Sequence, residues 1–149
     1  MGYRMGKTGK YAIVDNTAIV PDDCKIDDFV SVRDCAVIGT GVTLKCRCTI
    51  SGECTVGDDC FIGAHAILCN GARGINSNPS HIGDRVMVGA GAIILPGVTV
   101  CDDVIIGAGS VVTRDISTPG TYAGNPARRV DELSDHPRWY MEDFPYVGV

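Results

Sequence analysis

Residues 81–112 read HIGDRVMVGAGAIILPGVTVCDDVIIGAGSVV, and an aliphatic residue returns in this stretch at every sixth position. A small or β-branched residue follows four places after each aliphatic one. The same two series begin at Val14, run through ten hexads, are interrupted from Gly74 to His81 and continue through six more hexads. A repeat of this length is interpreted before any local motif, because it defines the architecture of the whole chain.

A period of six fits neither an α-helix nor a simple alternating strand, and it indicates a short strand and a turn that are repeated. Asp, Asn and Gly recur in the turn positions, where they tolerate the backbone angles of tight turns. The pattern predicts an all-β fold, a parallel β-helix with a loop insertion at residues 74–81. We expect a lead-in at residues 1–13, the repeat at 14–117 and a C-terminal segment at 118–149.

Composition and charge narrow the function classes for this chain of 149 residues. The net charge of −5 argues against nucleic acid and against an anionic membrane surface as partners. No apolar run of about eighteen residues is present, so no membrane-spanning helix is expected. The eight cysteines and the lack of a recognisable signal peptide predict free thiols and a cytoplasmic protein.

Three cysteines, Cys48, Cys54 and Cys60, lie six residues apart in the position that other hexads fill with Ala or Val. A free cysteine behaves as a small buried apolar side chain, so we expect these three to pack in the core. The alternative is a metal site, since successive hexads could bring three thiols into one layer. Cys35, Cys46, Cys69 and Cys101 fall in other positions, and we assign no metal ligands.

The repeat resembles that of the hexapeptide-repeat acyltransferases, most closely from His81 to Val130, and the ending GNPAR at residues 124–128 resembles the C-terminal signature of that family. The resemblance covers roughly residues 12–130. It implies a left-handed β-helix with three flat faces, which gives about five coils for sixteen hexads. It also implies a homotrimer with active sites in clefts between subunits, and acetyl-CoA as the acyl donor.

The hexads that start at Ile62, Val88 and Ile106 should stack on one side of the helix. In the family, positions matching Ala90 and Ala108 contact the pantetheine arm of CoA through the backbone. Glycine in the next position permits a close approach. The residues that the resemblance places around CoA are Ala90, Gly91, Ala108, Gly109, Thr113, Arg114 and Arg128.

The basic residues of this set have a defined role in the resemblance. Thr113 and Arg114 match positions that contact CoA, and Arg128 matches a basic position near the CoA phosphates. A guanidinium group suits phosphate because its donors form a fixed fork. The alternative is that both arginines are solvated surface residues.

The catalytic base of the family is missing from its usual place. Members that act on hydroxyls carry a loop histidine that would fall at Arg73 or Gly74 here. In one hypothesis His65 replaces it, and in a second His81 reaches the cleft of a neighbouring subunit. In a third no base is needed, because an amine acceptor is already nucleophilic. Some sugar N-acetyltransferases of the superfamily lack the histidine and have an asparagine where Asn70 stands, which could hold an acceptor hydroxyl or a water.

The predicted function is transfer of an acetyl group to a sugar hydroxyl or amine, with a nucleotide-linked amino sugar as one candidate acceptor. The alternative is a non-catalytic trimeric scaffold, which the missing histidine keeps open. A trimeric metalloenzyme would need clustered histidines, whereas His65, His81 and His136 lie far apart in sequence. The aromatic tail after residue 130 is expected to pack on a face or on a neighbouring subunit.

Overall fold

The computed structural model describes residues 9–71 and 76–130. The described chain winds into a β-helix of triangular cross-section, in which strands of successive coils pair in parallel. Paired residues such as Ile13 and Ser31 lie three hexads apart. Thr55 and His81 pair across the interruption and lie eight residues further apart than three hexads, so the insertion loops out and leaves the register intact.

Three sheets form the faces. Sheet 1 contains β1 (Ile13–Val14), β3 (Ser31–Val32), β6 (Thr49–Ile50), β9 (Ile67–Leu68), β12 (Ile93–Ile94) and β15 (Val111–Val112). Sheet 2 contains β4 (Val37–Ile38), β7 (Thr55–Val56), β10 (His81–Ile82) and β13 (Thr99–Val100). Sheet 3 contains β2 (Lys25–Ile26), β5 (Thr43–Leu44), β8 (Phe61–Ile62), β11 (Met87–Val88), β14 (Val104–Ile106), β16 (Gly120–Gly124) and β17 (Ala127–Arg129).

The two sequence series form the core, as predicted. Aliphatic residues such as Leu44, Ile50 and Ile62 point inwards at the strand ends and are fully buried. The small series enters the same narrow interior from the turns, and Cys48, Cys54 and Ala66 are fully buried there. The interior is narrow because every coil closes after three short strands, and small and branched side chains fill it.

The turns stack into three corners. The first corner leads from sheet 3 to sheet 1 and includes residues 63–65, 89–91 and 107–109. The second leads from sheet 1 to sheet 2 and includes residues 95–97 and 113–115. The third leads from sheet 2 to sheet 3 and includes residues 57–59 and 83–85.

Two boundaries differ from the sequence expectation. His81, which we had placed in the insertion, already belongs to β10 and pairs with both Thr55 and Thr99. Six strands stack on sheet 1, so the helix has about six turns where we expected about five, and β16 carries sheet 3 beyond residue 117. The described residues contain no helix, and hence none long and apolar enough to cross a membrane. The tail after residue 130 lies outside the described residues.

Candidate active site

The first corner stacks the hexads of Ile62, Val88 and Ile106, as the sequence predicted. Gly91 donates its N–H to the carbonyl of Ala64 at 2.8 Å, and Gly109 donates to the carbonyl of Ala90 at 2.8 Å. The N–H of His65 donates to the carbonyl of Cys46 one coil below, at 3.1 Å. His65, Gly91 and Gly109 therefore form one column, with successive coils about 4.8 Å apart.

In the upper part of this corner, at residues 89–91 and 107–109, no side chain is larger than the methyl group of Ala. Gly91 and Gly109 have φ values of +69° and +70°, while His65 and Arg47 adopt nearly the same angle in the same position of their hexads. The backbone angle alone does not require glycine here, although glycine adopts it without strain. A Cβ atom at Gly109 would meet no described atom within 4 Å. The two glycines leave a strip of bare, exposed backbone above His65.

The amide groups of this strip differ from those of the third corner. At the third corner, an aspartate one coil above accepts each amide N–H: Asp84 accepts from Asp58 at 2.8 Å, and Asp102 accepts from Asp84 at 2.7 Å. The equivalent first-corner residues are Ala64, Ala90 and Ala108, whose methyl groups cannot accept a hydrogen bond. Within residues 9–71 and 76–130, none of these three amide N–H groups has an acceptor.

The second corner and the C-terminal hairpin of β16 and β17 enclose a cavity of about 210 Å³. Thr113, Arg114 and Arg128, all predicted from the resemblance, line this cavity together. The hairpin is fixed by the buried Ser110, whose Oγ accepts the Gly124 N–H at 3.1 Å. The two arginines are exposed and line the cavity from two separate elements, and Arg128 donates its Nη1 to the Ala127 carbonyl at 2.9 Å.

Tyr122 and Arg129, which the sequence did not single out as site residues, also line this cavity. Tyr122 lies in β16 and donates its hydroxyl to the Thr118 carbonyl at 2.8 Å, and Arg129 follows Arg128 in β17. The consecutive arginines of the sequence ARRV were a usable signal for Arg129. Tyr122 had none, because only the pairing of β16 with β14 brings it beside the second corner.

The structure separates the three candidate catalytic residues. His65 is exposed on the first corner. His81 lies within sheet 2, where its Nδ1 is 2.8 Å from the Oγ1 of Thr55. Asn70 lies at the start of the insertion, and its side-chain amide donates to the Gly52 carbonyl at 3.1 Å. The main-chain carbonyl of Asn70 accepts the Asn78 N–H at 2.7 Å. Asn70 therefore braces the base of the loop, and residues 73 and 74 lie outside the described residues.

The residues predicted to contact CoA also fall into two groups on one chain. Ala90, Gly91, Ala108 and Gly109 lie on the first corner, whereas Thr113 and Arg114 lie on the second. Sheet 1 separates the two corners within each coil. A ligand that contacts both groups at once would fit most directly where the first corner of one copy faces the second corner of another.

The buried cysteines are core residues. Burial raises the pKa of Cys48 to about 12 and that of Cys60 to about 11, so both thiols keep their protons at neutral pH. The thiol of Cys60 donates to the Gly83 carbonyl at 3.0 Å, and the thiol of Cys54 donates to the Cys69 carbonyl at 3.4 Å. In the described part of the chain, no group of three or more His, Cys, Asp or Glu side chains is arranged to hold a metal ion.

Two models of known protein families match the repeat of this chain. Residues 79–114 match the model for bacterial transferase hexapeptide (six repeats), and residues 54–76 match the model for the hexapeptide repeat of succinyl-transferase. Galactoside O-acetyltransferase from Escherichia coli (strain K12) is 34% identical over 121 residues, which cover 80% of this chain and 53% of that protein. The chain thus spans about half the length of this relative.

Two solved structures share the architecture. A mutant of perosamine N-acetyltransferase from Caulobacter crescentus, in complex with CoA and GDP-perosamine, is 26% identical with a TM-score of 0.74, over 82% of this chain and 54% of that one. The acetyltransferase domain of PglB from Neisseria gonorrhoeae is 28% identical with a TM-score of 0.73, over 80% of this chain and 55% of that one. The repeat, the corner geometry and these similarities show that the chain belongs to the hexapeptide-repeat acyltransferase family, with its left-handed parallel β-helix.

Proposed function

We propose that this protein transfers an acetyl group from acetyl-CoA to a hydroxyl or amine of a sugar, in clefts between the subunits of a homotrimer. The observation that carries the proposal is the pair of amide N–H groups at Ala90 and Ala108, which have no acceptor among the described residues and flank a corner without side chains. An extended acyl-CoA arm carries amide carbonyls that can accept from such donors. The galactoside and perosamine acetyltransferases supply the precedent for sugar acceptors.

The residues fit the two ends of acetyl-CoA. Arg114 and Arg128 lie at one end of the helix, where their guanidinium groups suit the CoA phosphates. The bare strip of Gly91 and Gly109 allows the uncharged arm to lie against the backbone. The arm would then run down the first corner, so that the thioester ends at the level of Ala64 and His65.

The chemistry is nucleophilic attack on a thioester carbonyl, which places negative charge on the carbonyl oxygen. The Ala64 N–H is the third amide of the column without a described acceptor, and it can donate to that oxygen. His65 follows Ala64 directly, and a neutral imidazole can accept the proton of an acceptor hydroxyl. Asn70 and His81 remain alternatives that would act from the second corner or sheet 2 of a neighbouring copy.

Calorimetric titration with acetyl-CoA tests the proposal without knowledge of the acceptor. We expect one site per chain, with affinity reduced about tenfold in Arg114→Gln and in Arg128→Gln, because each loses a charged hydrogen bond to phosphate. The Arg85→Gln variant is the control, since Arg85 lies on the third corner and pairs with Asp103. No binding at millimolar acetyl-CoA would contradict the proposal and favour a non-catalytic scaffold.

A panel of acceptors then tests the reaction itself. Galactosides and amino sugars are incubated with acetyl-CoA, and the release of free CoA thiol is measured with a chromogenic thiol reagent. Acetyl transfer to any sugar hydroxyl or amine is the expected result. Tight binding of acetyl-CoA without transfer to any member of the panel would contradict the assignment to sugars.

A further inference from the structure

Below His65, the equivalent hexad position of the first corner is filled by aromatic and cationic side chains, beside the carboxylates of Asp27 and Asp28. Tyr11, Phe29 and Arg47 occupy the same position of their hexads as His65 does. The rings of Tyr11 and Phe29 stack at 5.3 Å with an angle of 14° between their planes. The guanidinium carbon of Arg47 lies 4.6 Å from the centre of the Phe29 ring. From bottom to top, the column therefore contains two aromatic rings, a guanidinium group, an imidazole ring and finally bare backbone.

Arg47 is the group in this column that can recognise an anion. Its guanidinium lies over the face of Phe29, which leaves the N–H donors at its edge able to bind a ligand. Within the described part of the chain, Arg47 forms no ion pair, whereas Lys45 pairs with Asp27 at 2.8 Å and Arg85 pairs with Asp103 at 2.8 Å. Stacking also restricts the side chain, so less rotamer entropy is lost when it binds.

Phe29 has a φ of +62°, an angle that Arg47 and His65 also adopt in this position, so the turn of the repeat sets it. The residue is 48% exposed, and its ring contacts Tyr11 and Arg47. The ring therefore forms an exposed platform beneath the guanidinium group.

We propose that Arg47, stacked on Phe29, binds a phosphate group of the acceptor, so that the acceptor is a phosphate-bearing sugar. This inference rests on the proposed function, in which acetyl-CoA occupies the corner above His65. The acceptor must then approach the thioester from the opposite side, across the coil that carries Arg47. Its phosphate could belong to a sugar phosphate or to a nucleoside diphosphate-linked sugar, and both share the chemistry that a guanidinium recognises.

The first experiment saturates the protein with CoA and then titrates it with uridine diphosphate by calorimetry. With the CoA site filled, the nucleotide cannot report on Arg114 or Arg128. We expect wild-type protein to bind and Arg47→Gln to lose affinity by about tenfold to a hundredfold. Arg47→Lys keeps the charge without the planar fork and should fall in between. Arg85→Gln, which occupies the same hexad position on the third corner, should bind as wild type does.

Titration with glucosamine 1-phosphate distinguishes the two sources of the phosphate. Binding of both probes with the same dependence on Arg47 supports recognition of the phosphate itself. Binding of the nucleotide alone, again dependent on Arg47, supports a nucleoside diphosphate-linked acceptor.

Two results would overturn the inference. Equal affinity of wild type and Arg47→Gln for both probes would show that Arg47 does not bind acceptor phosphate. Weaker CoA binding in Arg47→Gln would assign the residue to the donor. Failure of acetyl-CoA itself to bind would instead refute the proposed function, so the two failures are distinguishable.

Discussion

At the residue scale, one difference in side chain separates the first corner from the third. Asp58 and Asp84 accept amide hydrogens from the coil below at distances of 2.9 and 2.8 Å. Ala90 and Ala108 occupy the equivalent positions and leave the corresponding amides without a described acceptor. The amide N–H groups of the third corner are therefore hydrogen-bonded to carboxylates, whereas the equivalent amides of the first corner have no described acceptor.

This difference can be reversed by Ala108→Asp. The new carboxylate should accept the Ala90 N–H as Asp102 accepts the Asp84 N–H, so stability should be unchanged or raised by up to about 1 kcal/mol. Acetyl-CoA affinity should fall at least tenfold, about 1.4 kcal/mol, because a donor is lost and the strip gains charge. Thermal unfolding and calorimetry measure the two effects.

The matched control is Asp58→Ala, which removes the acceptor of the Thr40 N–H on the third corner. It should lower stability by about 0.5–1.5 kcal/mol and leave acetyl-CoA affinity unchanged. An Ala108→Asp protein that binds acetyl-CoA as wild type does would show that the Ala90 amide takes no part in the site.

A second prediction concerns the base. His65→Ala should lower kcat by roughly 10²–10⁴ with a hydroxyl acceptor while leaving acetyl-CoA affinity intact, because the imidazole acts on the acceptor proton. His81→Ala, in sheet 2, is the comparison. Single-turnover rates measure both variants. An unchanged rate in His65→Ala with a loss in His81→Ala would transfer the role to His81, and no loss in either would favour a reaction without a base.

At the element scale, each strand of the helix contains only two or three residues, except β16, which contains five. The small or β-branched residues that enter the core from the turns add to the stability. Cys48, Cys54 and Cys60 enter the core of one coil from its three corners. Their thiols remain neutral in the fold because burial raises the pKa of each. Their contribution is therefore sensitive to alkaline pH.

The direction of this effect follows from linkage. The pKa of Cys48 rises from 9.0 to about 12 on burial, so the folded state holds a proton that the unfolded chain releases earlier. The stability from the neutral thiol is present below pH 9 and is lost as the pH rises towards 12. Cys48→Ala should cost about 1 kcal/mol at neutral pH through lost packing and should lose stability less steeply above pH 9.

Urea unfolding at a series of pH values measures that slope. The control is Cys35→Ala, which removes an exposed thiol outside the core. Identical slopes for wild type and Cys48→Ala would show that this thiol does not titrate in the alkaline transition.

At the scale of the whole molecule, the proposed site combines surfaces that lie on two different corners of one chain. The bare strip and His65 lie on the first corner, and Arg114 lies on the second. In a closed ring of copies, the first corner of one subunit can face the second corner of the next. Assembly would then bring His65 and Arg114, which lie on separate corners of one chain, into the same cleft.

Mixed oligomers test this arrangement. At acetyl-CoA concentrations below the wild-type Kd, His65→Ala and Arg114→Gln should each be poorly active alone. Proteins formed by co-expression should then recover about a quarter of wild-type activity, because a quarter of the clefts combine two intact corners. Sedimentation analysis should show three chains per particle. Absence of recovery in confirmed mixed oligomers would place the whole site on one chain.

The sequence by itself determined the coil. The period of six specified the strand, the turn and the inward series from Val14 to Val112, because local alternation of apolar and turn residues sets which side chains face the interior. The family resemblance implied three hexads per coil and hence that hexads three apart would stack, which placed Ala90 above Ala64 and below Ala108. The resemblance of the C-terminal stretch also singled out Thr113, Arg114 and Arg128, which the structure places around one cavity.

Only the tertiary structure decided what each corner can do. The missing acceptors of Ala90 and Ala108 became visible by comparison with Asp84, whose carboxylate reaches a coil that is distant in sequence. The stacking of Arg47 on Phe29 depends in the same way on neighbours eighteen residues apart. Such contacts form between coils, and a repeat pattern reports the spacing of the coils but not which side chains fill the space between them.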